Sequence, residues 1–385
     1  MEVESFVRTN LSSRVKVVVE PAGEAVIAAA MLVRLFQSLE KTFSLTFFTG
    51  SYDDLKTDPA EVMLFIGKMN VVDVEKKFIV INDPAIMFDL ARSFGKEREC
   101  SGLYALACVY AKKPFPAELK IDLTEGVGLN VGLSTVPLHK LLELSLDPFL
   151  PNLSGQEDNC FSFLRECNIP IKDEQVFRTF LDVSGEERKV LFERLKVIAP
   201  VEFTSSFVMK EEGMFRDVVA WNLLIKECID AGVPSLALGC CLSPQVLKHR
   251  VWEVFVNSRR KLCASLQWLQ LQAAAGKCVE KEQVIIVDVD VDVSERRIVR
   301  FVKNGLFFFP PSKMVFFFFS VVNGKRVVVG SLQNRDLEGV VQRLKGKDVI
   351  VKEGVVLFDI AIDAEESLKQ QLLALEGVMA EERVQ

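Results

Sequence analysis

Histidine is almost missing from this chain, with 2 among 385 residues. They are His139 and His249, far apart in sequence. Sites for zinc or for paired divalent metals gather several imidazoles, thiolates or carboxylates, and two scattered histidines exclude any clustered histidine motif. The 9 cysteines add nothing of that kind, since no C-x-x-C pair occurs. The expectation is free, mostly buried thiols in a reducing compartment, with intracellular disulfides of the hyperthermophile type as the alternative. Cys240–Cys241, followed by Ser243-Pro244, reads as a strand end with no base beside it. No Ser or Cys has an evident His–Asp partnership, and no Walker or G-x-G-x-x-G loop is present. No apolar run reaches the ~18 residues that a membrane span needs. Met1–Asn10 carries Glu2, Glu4 and Arg8 in place of a signal-peptide core. A soluble, cytoplasmic chain with no membrane partner is expected. A net charge of −6 argues against coating nucleic acid through bulk charge, and leaves a local basic groove open.

What is there is apolar. Hydrophobic residues make up 49% of the chain, enough for two or three domains with proper cores. Val15–Glu20, Ser44–Phe48, Glu61–Ile66 and Phe78–Ile81 read as strands. Helical patterns run over Glu24–Leu39, with a small close-packing face at Ala28–Ala30, and over Ile86–Phe94 and Leu103–Ala111. Strands alternating with helices predict an α/β fold with a parallel sheet, whose ligands sit just after Val19, Ile66 and Ile81. From Val136 to about Ala275 the pattern is mainly helical, ending in a long helix over Val251–Ala275 that is able to connect two domains. A β-rich part follows, with strands expected at Val284–Val293, Ile298–Val302, Leu306–Phe309, Val315–Val322, Arg326–Val329 and Val355–Ile362. Helical Leu337–Leu344 interrupts it, and Glu365–Glu382 reads as a helical tail.

Two stretches in that part stand out. Asp288, Asp290 and Asp292 alternate with valines, which on a strand puts all three carboxylates on one face. That is either a cation site or, more plainly, a half-exposed strand whose charges discourage edge pairing. An EF-hand loop is excluded, because Val293 and Val299 stand where it needs Gly and an acid. Phe307–Phe309 and Phe316–Phe319 are the second oddity, in a chain with 29 Phe and 3 Tyr. A continuous aromatic run suits a strand buried on both faces. A hydrophobic docking surface and base stacking are the alternatives.

The passage Leu133–Ile171 is the most specific one. Asp147-Pro148-Phe149-Leu150-Pro151 and Leu153-Ser154-Gly155-Gln156-Glu157 resemble a segment of the archaeal RecJ-like proteins, members of the DHH phosphoesterase family. Phe215-Arg216-Asp217, Asn222, Gly232-Val233-Pro234-Ser235 and Cys241-Leu242 resemble a second segment of that family. The resemblance implies a parallel-sheet DHH domain at 1–190, a helical region with a long connecting helix at 191–278, and a smaller β-rich DHHA1-like domain with a C-terminal helix at 279–385.

Family members cleave phosphodiesters with two divalent metals, which several converging carboxylates and histidines hold. The family's H-x-D-x-D-G motif falls on Glu20-Pro21-Ala22-Gly23-Glu24-Ala25, where only Glu24 keeps an acid. The Asp after the third strand is replaced by Ile66-Gly67-Lys68, and the D-H-H signature by Ile81-Asn82-Asp83-Pro84. The segment that carries one more Asp is shortened between Ala111 and Leu123. The histidine of the Gly-rich DHHA1 loop is absent from Lys345–Ile362.

The resemblance therefore implies an inactivated phosphoesterase with no catalytic residue, metal or other cofactor, and Glu24, Asn82 and Asp83 as remnants of the crevice. The eukaryotic counterpart it implies is cell-division-cycle protein forty-five, an inactivated RecJ relative. Its partners would then be the GINS complex and the MCM helicase, with single-stranded DNA as a further contact in a crevice between two domains, in an archaeal, nucleoid-associated setting. The alternative is a manganese-dependent single-strand exonuclease or phosphodiesterase with a divergent site. Lone single-strand binding is a third reading.

Overall fold

The computed structural model describes residues 2–374 apart from 11–12, 49–60, 68–77, 82, 117–118, 120, 210–214, 282, 322–323, 332–348, 353 and 362–363. The chain divides into two compact units. One is Met1–Glu143 with Gln156–Ser258; the other is Leu144–Gly155 with Arg259–Gln385.

The first unit opens with helix α1 (Glu2–Thr9) and strand β1 (Arg14–Val19). β1 is joined by β2 (Phe43–Phe47), β3 (Glu61–Ile66) and β4 (Phe78–Ile81) in one parallel sheet of order β2-β1-β3-β4. Val15 pairs with Phe43 on one side and Val62 on the other. Parallel neighbours need long crossovers, and α2 (Gly23–Ser38) supplies the first. Ala28, Ala29 and Ala30 are all buried, so small side chains let the neighbouring elements approach it closely. α3 (Pro84–Ser93) and α4 (Glu97–Tyr110) pack against α2. The chain steps from β1 to β2 on one side, then back to β3 on the other. That reversal leaves a crevice outside the carboxyl ends of β1 and β3.

The rest of this unit is not purely helical. β5 (Leu123–Leu129) pairs antiparallel with β8 (Phe203–Met209), an element that the periodicity of the middle region did not suggest. Between them lie α5 (Leu138–Glu143), α6 (Glu157–Glu166), a small hairpin of β6 (Lys172–Asp173) and β7 (Val176–Phe177), and α7 (Gly185–Lys196). Arg178 locks this region. Its guanidinium donates to both carboxylate oxygens of Glu187 at 2.9 Å and to the Asp182 carbonyl at 2.9 Å. Glu187 also closes a capping box with Ser184 at the start of α7. α8 (Val218–Asp230) and α9 (Pro234–Leu242) complete the unit. Cys240–Cys241 therefore belongs to a helix and not to a strand end. Pro234 pre-sets the first turn, and both thiols are buried. None of the 9 cysteines forms a disulfide, and 8 are buried, with Cys278 half-buried. Burial pushes the Cys228 thiol up to about 12, so it is protonated and inert as a nucleophile.

α10 (Pro244–Ala274) is the long helix expected near the end of the middle region. Its residues up to Ser258 belong to the first unit and the rest to the second. The second unit holds a sheet of six strands in the order β13-β14-β12-β11-β10-β9. They are β9 (Val279–Lys281), β10 (Val284–Val289), β11 (Met314–Val321), β12 (Gly324–Gly330), β13 (Ile350–Lys352) and β14 (Val355–Ile360). Within this sheet, among the described residues, only β10 and β11 pair in parallel.

That parallel pair explains two corrections. Ile298–Val302 is not a strand but the start of helix α11 (Ile298–Gly305), the crossover between β10 and β11. Ile298, Phe301, Val302 and Leu306 recur at helical spacing and are buried together on the sheet. Leu306–Phe309 is likewise not a strand, because a 3-10 turn over Leu306–Phe308 ends the crossover. β10 stops at Val289, so of the three aspartates only Asp288 lies on it. Asp290 and Asp292 fall in the following loop, and the three carboxylates share no strand face. Asp288 accepts from Lys369 at 2.7 Å, which ties the helix Glu365–Ala374 onto the sheet. The helical pattern at Leu337–Leu344 and the tail beyond Ala374 lie outside the described residues.

The aromatic run on β11 is a strand buried on both faces. Phe317 and Phe319 pack with α11 and α10, while Phe316 and Phe318 pack with Leu368 and Leu372 on the other face. Phe307, by contrast, is 55% exposed. Phe317→Ala is expected to lower unfolding stability by about 3–5 kcal/mol, and Phe307→Ala to change it by less than about 0.5 kcal/mol. Urea denaturation of both variants checks this.

Acid titration probes the Arg178 lock. The double hydrogen bond from Arg178 holds the Glu187 carboxyl down at about 2, against 4.5 for a free side chain. Its contribution is complete above about 4.5 and is lost as pH falls through about 2. Glu187→Gln is expected to be less stable than wild type by a constant margin from neutral pH to about 4.5, with the margin closing towards pH 2. Denaturation midpoints at a series of pH values read it directly.

Candidate functional site

The crevice lies where the winding reverses. The Glu20 amide donates to the Ile66 carbonyl at 2.9 Å and the Gly67 amide to the Ile81 carbonyl at 3.0 Å, so the sheet extends one step past β1 and β3 before the strands part. A small pocket opens there, with about 270 Å³ of empty space including some open solvent. Glu20, Glu24, Ile66, Gly67, Ile81 and Pro84 contribute to its lining. The acid that lines it besides Glu24 is Glu20.

Each candidate from the sequence has a definite location. Glu24 is half-buried in the first turn of α2 and lines the pocket. Asp83 serves another purpose: it is the N-cap of α3, and its Oδ1 accepts from the Ala85 amide at 2.9 Å, with Pro84 at the first helical position. Its Oδ2 pairs with the Lys113 ammonium at 3.2 Å. Asn82 and Lys68 lie outside the described residues. His139 is buried on α5, stacked on Phe161 and tilted against Phe177. Burial, reinforced by neighbouring Lys140, lowers its pKa and favours the neutral ring. Neither histidine lines the crevice.

Two residues that sequence reasoning missed lie on the crevice rim. Tyr110, the last residue of α4, rests on Gly23. A methyl group added at position 23 would lie 2.1–2.4 Å from Cζ, Cε2 and Oη of that ring. Lys113 follows three residues later. Nothing in the local pattern marks either one, since each reaches its partner across the fold.

The passage that carried the resemblance has no part in this pocket. Leu144–Gly155 belongs to the second unit. The Asp147 carboxylate accepts from Arg300 Nε at 2.8 Å and from the amide of Asn304 at 3.4 Å. Asn304 Oδ1 in turn accepts from the Phe149 amide at 3.1 Å. Ser154 receives the Leu150 amide at 2.8 Å and donates to the Ser145 carbonyl at 2.7 Å, while Gln267 donates to the Ser154 carbonyl at 2.7 Å. Gly155 has φ of +81°, and an added methyl would sit 3.0 Å from both Cys263 and Gln267. The motif is a structural stitch between this segment, α10 and α11.

Comparison with known proteins fits this picture. Residues 131–201 match the model of the DHH-CID domain. The fold is similar to CDC45 from Entamoeba histolytica over 97% of both chains, with a TM-score of 0.58 and 10% identity. The chain is RecJ-like in fold. The exonuclease RecJ bound to manganese matches over 97% of this chain and 93% of its own, at a TM-score of 0.51 and 12% identity. RecJ from Thermus thermophilus in complex with manganese matches at 0.50 and 13%; the chain spans about half, 54%, of its length. No curated protein matches the chain by sequence.

The RecJ-like fold raises the question of metals, and among the described residues the side chains at the crevice do not suit a pair of them. Two closely spaced divalent ions need several converging anionic or imidazole donors. Ala22 offers none, Asp83 is committed to a helix cap and an ammonium group, and Tyr110 covers the turn that would carry the first ligands. Among the described residues, no group of three or more His, Cys, Asp or Glu side chains is arranged to hold a metal ion. Among them too, no helix is long and apolar enough to cross a membrane.

The cap at Asp83 has a measurable signature. Asp83→Ala is expected to cost about 0.5–2 kcal/mol of stability, while Glu24→Gln, which removes no cap, is expected to stay within about 0.5 kcal/mol. Chemical denaturation separates them.

Proposed function

We propose that this chain is a non-catalytic subunit of the DNA replication machinery, one that associates with the GINS complex and the MCM helicase and contacts single-stranded DNA as a secondary role. One observation carries the reading. The likeness to CDC45 spans nearly the whole of both chains, yet the crevice keeps few of the ligands that the phosphoesterase family uses. Shape has been retained where hydrolytic chemistry has not. The hydrogen-bonded stitch at Asp147–Gly155 supports the same view, because the best-matched sequence serves architecture. Glu24, Asn82 and Asp83 are read as remnants of the crevice, with Asp83 reused as a cap.

The test is direct. Purified full-length chain and the GINS complex of the same host are expected to co-migrate in size-exclusion chromatography at micromolar concentration. Separate elution of the two under those conditions contradicts the proposal.

A further inference from the structure

In a two-metal hydrolase the ions also draw together the loops that carry their ligands. We infer that in this chain the end of α4, from Tyr110 to Lys113, does that work, so that the carboxyl edge of the parallel sheet is closed by the chain's own side chains and does not depend on a divalent cation. The inference rests on reading the crevice as non-catalytic, and goes further in naming what braces the loops beside it.

Three observations converge on this turn. Tyr110 lies against Gly23, at the start of α2 and directly after β1. Only a residue without a side chain leaves room for the ring there. Lys113 places an ammonium group 3.2 Å from Asp83, directly after β4. One short turn thus reaches both the loop after β1 and the loop after β4. The third observation is how the turn is held. The Lys113 amide donates to the Cys108 carbonyl at 2.8 Å and Lys112 adopts φ of +54°, the left-handed corner of a helix stop where glycine is the usual residue. A lysine in that conformation is uncommon. The fixed corner sets the direction in which Lys113 leaves the helix, towards Asp83.

The chemistry is that of substitution. A half-exposed ion pair, Lys113 with Asp83, stands at the D-H-H position, and an aromatic ring lies against Gly23 in the turn of the first metal motif. On the third side, Glu20 folds its own side chain over Gly67, where an added methyl would lie 2.6 Å from Glu20 Oε2. The crevice is narrowed from within.

Thermal unfolding of the full-length chain tests this, with wild type, Tyr110→Ala, Tyr110→Phe and Glu24→Gln compared in EDTA and in millimolar manganese chloride. The wild-type Tm is expected to be the same in both media within about 1 °C. Tyr110→Ala is expected to melt about 5 °C or more below wild type in both, as a lost aromatic contact in a chain of this size would give. Tyr110→Phe, which keeps the ring, is expected to melt with wild type. Manganese stabilisation of wild type that Glu24→Gln abolishes would overturn both this inference and the non-catalytic reading. A Tyr110→Ala variant that melts with wild type would overturn the inference alone. The manganese comparison on wild type stands even where the alanine variant fails to fold.

Discussion

A parallel sheet wound in the order β2-β1-β3-β4 must leave a gap where its direction reverses, and the rest of the molecule's chemistry depends on what occupies that gap. Backbone alone creates it, since the strands diverge past Ile66 whatever their side chains are. The resemblance read from the sequence implies that metal ions and their charged ligands would fill such a gap. Here a phenol ring, an ammonium group and two glutamates line or border it. The same architecture is compatible with either filling because the contacts that hold the sheet lie elsewhere, in the largely buried α2 and in the buried valines of β1.

The second constraint is the stitch of residues Leu144–Gly155 into the unit that follows α10. It is made of backbone amides and carbonyls met by Asn304, Ser154 and Gln267, together with an ion pair whose Arg300 side chain is only 9% exposed. Such groups are costly to bury unless every partner is in place, so the segment tolerates little change. That requirement fits the sequence segment on which the family resemblance rests.

Much of the first sheet was legible in the sequence, because Val15–Glu20, Glu61–Ile66 and Phe78–Ile81 are short apolar runs separated by helical periodicity. The second unit was harder. Ile298–Val302 is rich in β-branched residues and reads as strand until β10 and β11 are known to be parallel, which demands a crossover helix. β8 escaped notice because its partner β5 is remote in the chain. In the crevice, Glu24 was legible from its place after the first strand. Asp83 was legible as an acid but not as a cap, although Asp followed by Pro at a helix start is the ordinary capping pattern. Tyr110 and Lys113 were not legible at all, since no local pattern encodes a contact between the end of one helix and the start of another.

The central claim is that shape has outlived hydrolysis. The most direct measurement is a nuclease assay of the full-length chain on single-stranded DNA with manganese. The account predicts no cleavage above the background of a mock preparation. Cleavage that persists through purification and disappears in Glu24→Ala would contradict it.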